Sequence, residues 1–158
     1  MPVIRIVLTV ALATALLAVS LPAVDSARGD RTAASLDADL ETVRDAAVGL
    51  VDEDDPTRDD VAGARRLVTV DVPHPSWTAA TVERVTVRGQ TDSSVSTLGY
   101  RLDSGRRSRL RLDVPLRTPN GPLVFTTPGA HRLALSLAWG DGDSSGGDGP
   151  TVVVRRES

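Results

Sequence analysis

The hydrophobic pattern along the chain changes period twice. Ile6 to Val24, IVLTVALATALLAVSLPAV, runs for nineteen residues without a charge. As a helix it would span about 28 Å at about 1.5 Å per residue, close to a hydrocarbon core of about 30 Å. Arg5 precedes it, and Asp25, Arg28, Asp30 and Arg31 follow it. From Thr32 to Val51 the apolar residues fall at helical spacing: Leu36, Leu40, Val43, Ala47, Leu50 and Val51. Asp37, Asp39, Glu41, Arg44 and Asp45 lie between them, so this segment reads as an amphipathic helix that continues the first. Pro22 predicts a kink or stop between the two, and Gly29 a loosened turn.

From Arg65 onward the period is two. Strands are expected at Arg65–Val72, Val82–Arg88, Thr97–Asp103, Ser108–Pro115, Pro122–Phe125, His131–Trp139 and Thr151–Arg156. Leu98, Tyr100 and Leu102 alternate on one side of the turn Asp103-Ser104-Gly105-Arg106, and Leu110, Leu112 and Val114 on the other. Ser76 to Thr81 reads as a short helical turn capped by Ser76. Seven short strands without intervening helices predict an antiparallel β-sandwich or a partly closed barrel. The expected layout is a transmembrane anchor or signal segment (1–24), an amphipathic helix (25–51), an acidic linker (52–63) and an all-β domain (64–158). The linker contains DEDDPTRDD at 52–60, six acids with one Arg and one Pro, which ends the helix.

The N-terminal segment fits two fates. It is long enough to be a retained anchor, and the helix that follows favours retention. Ala18-Val19-Ser20 also offers small residues before Leu21, as a cleaved signal peptide requires. The positive start keeps the N-terminus inside in either case, with the β domain outside.

Composition adds the solvent. All 18 basic residues are Arg, and Asp supplies 17 of the 21 acids. The absence of Lys and the surplus of Asp resemble halophilic archaeal proteomes; a high-GC actinobacterium would share the Arg, Ala and Val bias. Residues 1–63 carry five Arg against twelve acids and residues 64–158 thirteen Arg against nine, so the acid sits in the first part and a mild positive excess in the second. In molar salt the Debye length is about 3 Å, which removes long-range attraction to phosphates and argues against nucleic-acid binding. There is no Cys, which excludes disulfides, thiolate metal sites and a thiol nucleophile. Aromatic residues are 3% of the chain, too few for a stacking platform.

Candidate chemistry is sparse. His74, between Pro73 and Pro75, and His131 have no metal-ligand companions at useful spacing and read as loop and surface histidines. No nucleophile elbow and no phosphate-cradling loop occur. Asp141, Asp143 and Ser145 alternate within GDGDSSGGDG in the manner of half a calcium loop, but Val152 stands where a bidentate Glu is needed. Arg106, Arg107, Arg109 and Arg111 form a basic strand edge. Arg109 and Arg111 share its outer face, either as a dock for an acidic partner or paired with Asp103 and Asp113. No catalytic residue and no cofactor or small-molecule site is expected.

Three resemblances bear on this layout. Pro128-Gly129-Ala130-His131-Arg132-Leu133-Ala134-Leu135 resembles the Pro-Gly-x-Tyr strand entry of immunoglobulin-like extracellular modules, with His131 in place of the Tyr. Val7–Pro22, Ala33–Val51, Gly63-Ala64-Arg65-Arg66, Leu116–Leu123 and Pro128–Leu137 together resemble an uncharacterised haloarchaeal membrane-anchored family found beside type IV pilus-like secretion genes. The anchor–helix–β plan is also similar to pilins and pseudopilins. The chain departs from those in lacking a prepilin-peptidase Gly before the apolar run and a Glu five residues into it. The resemblance therefore implies an accessory part in a pilus-like assembly or secretion system rather than self-polymerisation. Leu36, Leu40, Val43, Ala47 and Leu50 are then the candidate partner-facing stripe, with packing on the chain's own β domain as the alternative. A secreted β-sandwich that binds a cell-surface polymer or small ligand is the other functional reading.

Overall fold

The computed structural model describes residues 2–56, 64–89, 95–139 and 149–157. It contains one long helix, α1 (Pro2–Glu53). Eight strands follow: β1 (Arg65–Val72), β2 (Val82–Arg88), β3 (Ser96–Leu102), β4 (Arg107–Leu112), β5 (Leu116–Arg117), β6 (Leu123–Phe125), β7 (Gly129–Trp139) and β8 (Pro150–Arg156). They form two four-stranded sheets, ordered β1-β7-β8-β5 and β4-β3-β2-β6. The chain is thus a helix followed by an all-β sandwich, as the change of period predicts.

The break expected at Pro22 is absent: α1 passes through it without interruption. A proline inside a helix costs about 3 kcal/mol through one lost hydrogen bond and a clash. Here about five turns of Ala- and Leu-rich helix precede it, and the packed segment holds the helix beyond it. Gly29 does not break the helix either.

The stripe read as partner-facing is buried in the chain's own core. Leu36, Leu40, Val43, Ala47 and Leu50 are 0–1% exposed. They join one cluster with Val70, Val85, Leu98, Leu135 and Val154 of both sheets. α1 packs against β1, β7 and β8 of one sheet and β3 and β4 of the other, closing the side of the sandwich between edge strands β1 and β4. Five side chains at helical spacing must be covered by something. The nearest apolar surface is the open side of the sandwich that follows them in the chain.

Polar ties fix the helix in register. Tyr100 Oη, in β3, donates to the Asp37 carboxylate (3.2 Å) and lies 3.4 Å from the Ala33 carbonyl. Burial raises the Tyr100 pKa, and the charge of Asp37 adds to it, because both oppose a phenolate. Asp39 accepts the Asp71 N–H at 2.8 Å on edge strand β1. Desolvation raises the Asp39 pKa; the Asp71 N–H opposes that shift and the Asp71 charge adds to it. At the far end of α1, Arg66 bonds Glu53 at 2.7 Å and the Gly49 carbonyl at 3.3 Å.

The two-residue strand β5 escaped the pattern. β4 ends at Leu112 rather than Pro115, and the chain crosses to the other sheet. Ser96 organises the crossing: its hydroxyl donates to Val114 O and accepts the Leu116 N–H at 2.7 Å. β5 then pairs parallel to β8, Leu116 opposite Val152. At the β3–β4 turn Gly105 adopts φ +84°, and its N–H donates to Leu102 O. A three-residue hairpin loop needs a left-handed residue there, which favours Gly.

His131 is corrected from a surface residue to a core one, at 6% exposure. It stacks on Phe125 with ring centroids 4.6 Å apart, and its Nε2 lies 2.8 Å from Thr127 O. Arg156 covers the same Phe125 ring. Ser76 to Thr81 forms a bend rather than a helical turn, but Ser76 caps it as expected: its hydroxyl accepts the Thr78 and Ala79 N–H groups.

Candidate interaction surfaces

The sheet β4-β3-β2-β6 has one face in the core and one in solvent. Alternation sends Val85, Val87, Leu98, Tyr100, Leu102 and Leu112 inward. The residues between them are Arg84 and Arg88 on β2, Arg101 on β3, and Arg107, Arg109 and Arg111 on β4, all exposed. The register sets them side by side. Arg101 lies opposite Arg84 on one flank and Arg107 on the other, and Thr97 lies between Arg88 and Arg111. Gly99 sits between Thr86 and Arg109 in the centre of this face. A Cβ there would come within 2.7 Å of Ser108 O, so β4 can lie this close only against a glycine.

Six guanidinium groups therefore share one sheet face. Glu83, at the irregularity that starts β2, bonds Arg101 at 2.9 Å and lies 3.7 Å from Arg84. Among the described residues Arg88, Arg107, Arg109 and Arg111 form no ion pair. Arg109 and Arg111 are thus on the outer face as predicted, and they are not paired with Asp103 or Asp113. Arg106, grouped with them in sequence, turns away to pair with Asp30 on α1. Like charges opposite one another destabilise a sheet, so this arrangement adds nothing to folding. It does supply planar forks that grip carboxylates or phosphates in pairs. Arg84, Arg88 and Arg101 escaped the sequence reading. The signal was their alternation with Val85, Val87 and Leu102 in strands already recognised.

The other candidate surface is α1 itself. It is long and apolar enough to cross a membrane, and its most apolar stretch has no contact with the sandwich. Where it meets the sandwich, Arg28 donates to Ser76 O at 2.5 Å and Ala79 O at 3.3 Å, and Thr32 Oγ1 accepts the Ala80 N–H at 2.9 Å. The loop between β1 and β2 is thereby tied to the first turns of the packed half. Trp77, at its tip, is 84% exposed.

No group of His, Asp and Glu suited to a metal occurs among the described residues. Asp141, Asp143 and Ser145 lie outside the described residues, as does most of the acidic linker.

A β-sandwich closed on one side by an N-terminal helix, with half of that helix uncovered, defines the class of protein. The chain belongs to the family described as domain of unknown function DUF7311, whose model matches residues 3–157 and hence the helix and both sheets together. No curated protein and no solved structure matches it significantly.

Proposed function

We propose that this chain is a single-pass membrane protein that holds its sandwich at the outer surface of the cell membrane and offers the arginine face to an acidic partner. The observation that carries the reading is α1: its N-terminal stretch is uncovered and uncharged, while its C-terminal half is an element of the sandwich core. A rigid helix that leaves a folded domain with an apolar end has one obvious solvent for that end, which is lipid. The same plan, a helix half in membrane and half in a β domain, is similar to that of pilins and pseudopilins. The accessory role in a pilus-like assembly or secretion system belongs to this proposal, and so does the haloarchaeal setting. In molar salt only contact pairs survive screening, which suits a dense array of guanidinium forks better than a diffuse positive field.

The test is the mass of the N-terminal peptide from protein made in a halophilic host, with membrane and medium compared. An intact N-terminus in the membrane fraction supports the anchor. A mature form that begins at Leu21 in the medium refutes it. That outcome leaves the secreted binding module, which the fold permits: the first buried residues of α1 are Gly29 and Thr32, beyond any such cut. The arginine face is tested separately with immobilised polyglutamate. Arg109→Glu with Arg111→Glu should abolish retention while the unfolding midpoint does not fall, since the change relieves like-charge repulsion on the face, and unchanged retention counts against the face.

A further inference from the structure

We propose that the β1–β2 loop is a second membrane contact, with Trp77 seated in the headgroup layer of the bilayer that α1 crosses. This rests on the anchor reading above. Val24 ends the uncharged run, and Arg28 follows four residues later, about 6 Å along the helix axis. Headgroup layers extend roughly 5–7 Å beyond the hydrocarbon on each side. Arg28 therefore lies at headgroup level, and it grips Ser76 and Ala79, the residues that flank Trp77. The loop cannot drift from the surface without breaking those bonds and the Thr32–Ala80 bond.

The chemistry of the loop fits the location. From Val72 to Val82 there is no Asp, Glu or Arg, in a chain that is 25% charged. Pro73 and Pro75 have no N–H to satisfy. The N–H groups of Ser76, Thr78, Ala79 and Ala80 are bonded within the protein, and Thr81 O accepts the Asp103 N–H. With four N–H groups bonded and two residues that have none, few backbone donors of the loop depend on water, which lowers the cost of entering a water-poor layer. Trp is the side chain that suits that layer best, with an apolar body and one polar N–H. Gly129 pairs with Val72, so the exposed and uncharged Thr126-Thr127-Pro128 lies at the same end of the sandwich. The consequence is orientation: two contacts fix the tilt of the sandwich, and with it the direction in which the arginine face points.

The chain has two tryptophans, and Trp139 lies at the opposite end of β7 from Gly129. The experiment uses the full chain with Trp139→Phe, reconstituted in vesicles of equal parts phosphatidylcholine and phosphatidylglycerol, with and without bromine on the upper acyl carbons. Resistance to alkaline carbonate extraction reports insertion of α1 in the same samples. Trp77 emission should shift to the blue on reconstitution and lose most of its intensity with brominated lipid. The Trp77→Phe protein, which reports Trp139, should show neither change. Red, unquenched Trp77 emission in protein that resists extraction overturns the proposal and leaves the anchor standing; the loop then faces water or a protein partner. Protein released by carbonate overturns the anchor reading and this inference with it.

Discussion

From Val3 to Ala27 every side chain of α1 is exposed, whereas from Arg28 to Leu50 every third or fourth one is buried. Backbone geometry is the same in both halves. The difference lies in where the charges are. The first half has none between Ile6 and Val24, so it has no polar face and no preferred side to bury. The second half alternates Asp, Glu and Arg with Leu and Val at a period near 3.6, which defines one face for a core and one for water. Helical pattern thus says how the chain is wound, and charge pattern says which solvent surrounds it.

The largest effects should separate the halves. Leu40→Asp places an unpaired carboxylate where the native side chain is 1% exposed. The cost of several kcal/mol is a large part of a total stability of about 5–15 kcal/mol. Circular dichroism should show loss of cooperative unfolding of the sandwich. Leu12→Asp should leave that unfolding unchanged and weaken membrane retention, at about 2.5–3.5 kcal/mol for a carboxylate in mid-bilayer. Equal effects from the two substitutions would erase the distinction between the halves.

Next in size is Tyr100→Phe, which removes the hydroxyl that joins β3 to Asp37. A loss of about 1 kcal/mol in chemical denaturation is expected. The raised pKa of Tyr100 means that its neutral form is favoured in the native state. Its contribution is therefore complete below about pH 10 and declines as pH rises through the native value, and the Phe variant should lack that decline.

Asp39→Asn is smaller and opposite in sign. The native pKa is raised, chiefly by desolvation, so the carboxylate favours folding most when protonated and loses that contribution as pH rises. Asn can still accept the Asp71 N–H without the charge. The variant should be more stable at neutral pH by under about 1 kcal/mol, since the site is half solvated, and the advantage should vanish below about pH 4. Thermal melts across pH measure it.

The smallest effect sharpens the junction between the halves. A Cβ at Gly29 meets nothing within 4 Å, so Gly29→Ala should stabilise the helix by about 0.5 kcal/mol, measured in the same melts.

Much of the fold was legible because each half of the pattern has one period. β1 and β2 have the bounds that alternation gives, and five further strands are shifted by one to three residues at one or both ends. β5 was not legible, since two residues carry no period and its pairing depends on a Ser96 hydroxyl twenty positions away. Pro22 does not end α1, because the long helix on either side outweighs its local propensity. His131 misled because a polar ring that stacks on Phe125 and bonds a nearby carbonyl is apolar in effect, and neither partner shows in a single sequence. The stripe on α1 is legible as residues that need cover; of the two covers the pattern allows, a partner or the chain's own β domain, the structure supplies the second. Of the arginine face only β4 is legible in the sequence, because register is needed to see that three strands contribute to it.

The most direct measurement is hydrogen exchange along α1 in the full chain in detergent or lipid, followed through added denaturant. If the packed half is an element of the sandwich, amides from Ala33 to Leu50 will exchange only through global unfolding, at the free energy measured for β7. Exchange of those amides by local opening, with β7 still protected, would show the helix to be an appendage and would contradict the placement of this half of α1 in the sandwich core.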